Sequence, residues 1–254
     1  MRNPTLRQSL PLLLAVATPA FAAKGSGHPT VEGRVQELFH QEEAPLNQRH
    51  ELEAGSGLEW EEGNGEATFE MPLHVEYGVT DAFQIQGEVG LSPESEQPTL
   101  EEGSMGARLA LLMDAERRLV VSTGAKVLAL RDSPAASMRP GVSPFMLAYK
   151  ELGPVGINVS VAADLLPSSG GRDATVHPDL GLGAVVGDGV LRPKVEAAFR
   201  NEQGTNTGIF APGLYVNPVE SLEVGVSMPW RLKSDGENSL GVSALVTWSG
   251  GSSD

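Results

Sequence analysis

The chain has 254 residues, 40% of them hydrophobic and 5% aromatic, with no cysteine and 18 basic against 33 acidic side chains, a formal charge of −15. Such an excess of acid excludes nucleic acid as a partner, because phosphate binding needs the opposite sign, and it leaves no basic patch for docking on anionic lipid. Without cysteine there is no disulfide framework, yet a chain this long can bury a core or close a large sheet unaided.

Residues 1–22 read as an export signal: Arg2 and Arg7 give a basic start, Leu10 to Ala17 an apolar core, and Ala20-Phe21-Ala22 a small-residue cleavage site. The apolar run falls short of the roughly 20 residues of a spanning helix. Removing it deletes two arginines and no acid, leaving 16 basic against 33 acidic side chains and a formal charge of −17. Residues 23–47 are polar, with one short helical pattern at Val31, Val35, Leu38 and Phe39, and are expected to form a periplasmic leader. No later segment approaches 18 uninterrupted apolar residues, which removes helical spans but not a barrel of alternating strands.

The barrel is expected over residues 48–248, with 249–254 as a flexible tail. Twelve candidate strands follow Arg49: 49–60, 66–77, 82–92, 103–113, 117–130, 141–150, 155–166, 174–186, 190–200, 206–216, 222–232 and 238–248. The second and third show the pattern best. Phe69, Met71, Leu73, Val75 and Tyr77 alternate with Glu70, Pro72, His74 and Glu76. After the turn Gly78-Val79-Thr80-Asp81, Phe83, Ile85, Val89 and Leu91 alternate with Gln84, Gln86 and Glu88. The seventh sets Val155, Ile157, Val159, Val161, Ala163 and Leu165 against Asn158, Ser160 and Asp164. The ninth sets Leu191, Val195, Ala197 and Phe199 against Arg192, Lys194, Glu196 and Arg200. In the eleventh, Leu222, Val224, Val226, Met228, Trp230 and Leu232 oppose Glu223, Ser227 and Arg231. Charges on one parity of so many strands require a wet or salt-bridged enclosed side.

Short turns follow the even-numbered strands and longer polar loops most of the odd ones, the asymmetry of an up-and-down outer-membrane barrel with both termini in the periplasm. Aromatic residues give a second test. Trp60, Phe69, Phe199, Phe210 and Trp230 are expected near external strand ends, with Phe145 just inside one. Tyr77, Phe83, Tyr149, Tyr215 and Trp248 are expected near periplasmic ends, in two girdles at the lipid boundary. Tyr215 has the wrong parity relative to Phe210, so either a bulge or an inward tyrosine is needed. Prolines 72, 144, 178, 193, 212 and 229 stand against the reading, since each removes a ladder donor that lipid cannot replace. The fold expected is all-β, a transmembrane up-and-down antiparallel β-barrel of about twelve strands.

The segment EYGVTDAFQIQGEVGL, with ELEAGSGLEW upstream, resembles a recurring pattern in Gram-negative outer-membrane barrels grouped as transporters of the phenol meta-cleavage pathway type. There a strand ends in an E-Y-G-L-T-D type turn, matched here by Glu76-Tyr77-Gly78-Val79-Thr80-Asp81. The resemblance extends loosely over residues 48–248. It implies a channel for small solutes, aromatic or hydrophobic ones among them, with outer-membrane lipid and the barrel-assembly machinery as partners. It brings no catalytic residues. Such barrels commonly end on an aromatic residue, whereas here Trp248 is followed by six more residues.

The expected lumen or solute-binding set is Glu70, His74, Glu76, Gln84, Gln86, Glu88, Arg108, Lys126, Arg192, Lys194, Glu223 and Arg231. An acidic wall (Glu51, Glu53, Glu59, Glu70, Glu76, Glu88) faces a basic one (Arg108, Lys126, Arg192, Lys194, Arg200, Arg231), and together they would set a transverse field. Alternatively these charges pair and plug the barrel; a lumen of twelve strands lies between filled and open, so both outcomes stand. His74 with Glu76, and His177 with Asp179, have the i, i+2 spacing of metal ligands, but no third ligand follows from spacing, and solvated lumen polars are the simpler account. No cofactor motif is present. A lipid hydrolase needs a serine beside its histidine; neither His74 nor His177 has one two residues on, and G-x-S-x-G is missing. The remaining alternative is a secreted or periplasmic β-rich binding protein.

Overall fold

The structure, a computed structural model, describes residues 44–63, 65–93, 99–131, 138–167, 174–202, 205–219 and 221–251. The expected export signal, most of the expected leader and the last three residues lie outside them.

Every element among the described residues is a strand: β1 (Leu52–Gly63), β2 (Glu66–Thr80), β3 (Phe83–Ser92), β4 (Thr99–Asp114), β5 (Leu119–Leu130), β6 (Arg139–Leu152), β7 (Val155–Pro167), β8 (Ala174–Val186), β9 (Leu191–Glu202), β10 (Thr205–Val219), β11 (Leu222–Ser227), β12 (Trp230–Lys233) and β13 (Ser239–Gly250). Successive strands pair antiparallel, β11 and β12 excepted, and β1 closes on β13 from Leu52↔Gly250 to Gly63↔Ser239. A sheet closed in this way has no edge to satisfy. Ser249 and Gly250, expected in the tail, are part of that closing ladder.

β11 and β12 both lie between β10 and β13, so they are one stave interrupted at Met228-Pro229, and the barrel has twelve staves. Pro229 has no N–H to give, and the sheet is held across the gap by Met228 N–H to the Pro212 carbonyl and Gly241 N–H to the Pro229 carbonyl, both 2.9 Å. Near Pro144 the β6–β7 ladder passes from Val142↔Leu165 directly to Phe145↔Ala162. The strand prolines are therefore accommodated by local breaks. A register shift between Ala110 and Leu112 inserts one extra residue in β4 and leaves Leu111 and Leu112 both exposed.

Side-chain parity follows the sequence pattern. Leu73, Val161 and Val226 are 38%, 49% and 49% exposed on the outer surface, which excludes a two-layer sandwich with these residues in its core. Gln84, Arg108, Lys194, Glu196 and Glu223 are buried on the inner side. Trp60, Phe69, Phe199, Phe210 and Trp230 have outward parity at one end, where Phe210 and Trp230 pair directly across the ladder with ring centroids 5.9 Å apart. Tyr77, Phe83 and Trp248 have outward parity at the other end.

Three aromatics leave the expected girdles. Phe145 and Tyr149 stand at odd positions of β6, the parity of Ser143, Leu147 and Glu151, and all of these are buried inside. Tyr215 also points inward, as its parity allowed. The wall makes room for such rings with glycine: a Cβ on Gly156 would stand 2.7 Å from the Tyr149 hydroxyl, and one on Gly124 would stand 2.4 Å from the Phe145 ring. These rings reach over glycines of the neighbouring strands.

Candidate functional site

The lumen is divided. Its inner half, at the end carrying Tyr77, Phe83 and Trp248, is packed, and the residues that pack it include the end of the expected leader. Ala44 is fully buried among Val120, Phe145, Leu147, Tyr149, Val185 and Tyr215. Its N–H donates to the Asn158 amide oxygen at 3.0 Å, and its carbonyl accepts from the Ser122 hydroxyl at 3.1 Å. Asn47 N–H donates to Gln84 Oε1 at 2.8 Å. Residues 44–47 thus lie inside the barrel rather than free in the periplasm. The remainder of the leader lies outside the described residues.

The chain enters through a tight turn at the rim. His50 takes a left-handed φ of 64°, donates its N–H to the Gly78 carbonyl at 2.7 Å, and sets its imidazole Nδ1 2.9 Å from the Tyr77 hydroxyl. Gly78 is required there for space: a Cβ would stand 2.0 Å from the Gln48 carbonyl oxygen.

Around this segment the inner half is filled by paired charges. Arg192 bonds Glu223, and Asn217 at 2.5 Å. Lys194 and Glu196 form a pair with no exposed side-chain surface, and the lysine ammonium lies 4.5 Å over the Tyr215 ring. Glu76 accepts from Gln84 and, at 3.3 Å, from Arg108. At the rim Arg118 bonds Glu151, a contact that raises the guanidinium's pKa further. Each of these charges has an opposite partner, as a low-dielectric interior demands.

The outer half is a cavity of about 730 Å³. Glu59, Glu61, Glu70, Glu88, Glu101 and Glu102, from four adjacent strands β1–β4, make its acidic wall. Lys126, Arg131, Arg139, Arg200, Arg231 and Lys233 flank and face it, and Leu128, Phe145, Leu147, Leu166, Ile209 and Leu245 supply apolar surface. Arg231 bonds Glu61, and Glu59 at 3.3 Å; Lys126 bonds Glu88 at 3.2 Å; Arg200 bonds Asp179 at 2.7 Å. Glu70 and Glu102 converge over Gly90, where a Cβ would stand 2.5 Å from Glu70 Oε1 and 2.7 Å from Glu102 Cγ.

The twelve residues expected to line the lumen therefore fall into two groups. Glu70, His74, Glu88, Lys126 and Arg231 line the outer cavity. Glu76, Gln84, Gln86, Arg108, Arg192, Lys194 and Glu223 belong to the packed inner half. The two histidine pairs separate: Glu76 turns to Arg108, His177 bonds the Asn201 carbonyl at 2.9 Å and the Thr175 hydroxyl at 3.1 Å, and Asp179 turns to Arg200. Sequence reasoning missed the lumenal segment and Glu102. One signal for the segment was present: Asn158, an amide at an inward position of β7, needs a partner when buried.

No family model matches the chain, and no curated protein sequence is similar to it. Solved structures are. An outer membrane channel from Pseudomonas putida F1 superposes with a TM-score of 0.64 at 11% identity, covering 84% of this chain and all of that one. The NanC porin gives 0.56 at 9% identity, covering 76% of this chain and 98% of that one. The KdgM porin, solved with oligogalacturonate, gives 0.55 at 8% identity with the same coverages. At these identities the likeness is one of fold: the chain has the closed antiparallel barrel of these outer-membrane proteins.

Proposed function

We propose that the protein is a channel of the Gram-negative outer membrane that passes small solutes by diffusion, and that the structure holds it with its inner half closed. The observation that carries this reading is the combination of an apolar outer surface with a charged interior containing a cavity of about 730 Å³. Lipid is the solvent that matches such an exterior. The shared fold with an outer membrane channel and two porins supports the same reading.

The finer proposal follows the resemblance to the phenol meta-cleavage type transporters: aromatic compounds are among the solutes. Outer-membrane lipid surrounds the wall, and the assembly machinery inserts it, reading a last strand whose outward row, Leu240 to Trp248, ends on tryptophan. The inward charges are proposed to govern conductance, with the outer set meeting the solute first.

Ion current through the purified barrel in planar bilayers tests the channel. Wild type is expected to show small currents, and Gly78→Val, which displaces the Gln48 carbonyl, larger and longer openings. A barrel that passes no ions in either form would end this reading. Heat-modifiable gel mobility and extraction only by detergent separate it from a soluble β-rich protein.

A further inference from the structure

We infer that the outer cavity is a binding site for a small organic cation, an ammonium group carried on an apolar body about the size of one aromatic ring. The inference deepens the channel reading and rests on it only in taking the cavity as reachable from outside the cell.

Three features of the cavity converge on that chemistry. Its volume, about 730 Å³, lies within the range of roughly 300–1,000 Å³ typical of small-molecule sites. Its charges are unevenly committed. Arg231 is held by Glu59 and Glu61, Lys126 by Glu88, and Arg200 by Asp179, whereas Glu70 and Glu102 have no cation at ion-pair distance among the described residues. These two converge over Gly90, Glu59 is the cross-strand partner of Glu70, and Glu88 stands two residues from Gly90 on the same face of β3, so the acidic wall gathers four carboxyl groups that a cation can bridge.

The third feature is what stands next to the carboxylates. Glu102 pairs across the ladder with Leu130, and Ser104 with Leu128, so apolar wall begins one strand from the charge, about 4.8 Å away. Leu128, Leu147 and Leu166 continue it across β5–β7 in the same cavity. A solute with its ammonium on Glu70 and Glu102 and its ring against Leu128 and Leu166 gains ion pairing and burial together. A simple metal ion has no use for the apolar wall, and a neutral arene has none for the carboxylates.

The test is calorimetric titration of the full chain, folded in non-ionic maltoside micelles, with phenethylammonium chloride against a micelle blank. Phenethyl alcohol, 3-phenylpropionate and tetramethylammonium serve as comparators that each lack one feature. Saturable binding of phenethylammonium is expected, about tenfold tighter than any comparator and about tenfold weaker in the Glu70→Gln/Glu102→Gln double variant, the scale of removing one charge-assisted hydrogen bond. Glu62→Gln, which removes an exposed charge outside the cavity, should leave it unchanged. Leu128→Thr provides a second variant: phenethylammonium should weaken while tetramethylammonium does not. No saturable heat, equal binding by the double variant, or 3-phenylpropionate binding as tightly as phenethylammonium would overturn the site. A barrel that conducts without discriminating these solutes sinks this inference alone, whereas one that binds phenethylammonium yet never conducts sinks the channel and leaves the site.

Discussion

The two halves of the lumen use the same residue types to opposite ends. In the inner half, Lys194–Glu196 and Arg192–Glu223 are almost wholly shielded from solvent, and a backbone segment fills what space they leave. In the outer half, Lys126 and Glu88 have side chains 12% and 36% exposed, and the carboxylates of Glu70 and Glu102 face a cavity. Whether a lumenal charge is structure or site is therefore a matter of its depth and its neighbours rather than its identity. A buried pair is committed to its partner by the cost of leaving either charge alone, while a charge on a wet wall can exchange a protein partner for a solute.

The sharpest way to break this comparison is to unpair a charge in the inner half. Lys194→Met leaves Glu196 buried without its cation and should destabilise the barrel by about 3–5 kcal/mol in reversible unfolding from lipid vesicles. A loss below about 1 kcal/mol would mean that water already reaches the pair and that the inner half is less dry than the packing shows.

Next in size is a charge placed on the outer surface. Val161→Arg, mid-strand on β7, should cost about 2–4 kcal/mol in the same assay if that face meets hydrocarbon. Moving the change one residue, to Ser160→Arg, places the charge inside, and the two variants should then differ in kind: the first in stability, the second in conductance.

Loosening the lumenal segment is expected to act on current more than on stability. Asn158→Ala removes the acceptor of the Ala44 N–H and should weaken docking of the segment by about 1–2 kcal/mol, raising the open fraction severalfold in single-channel records. Unchanged current would place the resistance elsewhere in the inner half. The smallest effect belongs to the outer wall. Neutralising Glu70 or Glu88 singly should reduce the preference for cations by about twofold at low salt and less at high salt, read as a reversal potential, since exposed charges are screened.

How far the sequence anticipated these halves is clearest in single strands. On β2, β7 and β11 the alternation assigned each side chain to its face, and the assignment for β11 holds through Trp230 and Arg231, beyond the break at Pro229. Phe145 and Tyr149 were misplaced because an aromatic girdle was expected from position along the strand, where parity was the better guide. The lumenal segment left a weaker trace still: Ala44 carries no pattern, and its partners Ser122 and Asn158 lie 78 and 114 residues away.

By itself the amino-acid order determined that this chain closes a barrel with apolar atoms outside and ionisable ones within, because alternation is a covalent property of an extended backbone and needs no knowledge of distant residues. Only the tertiary structure decided which charges are spent on one another and which remain for a solute. That depends on the stagger of twelve staves and on a segment folding back between them, and both arise from pairings between residues far apart in the chain.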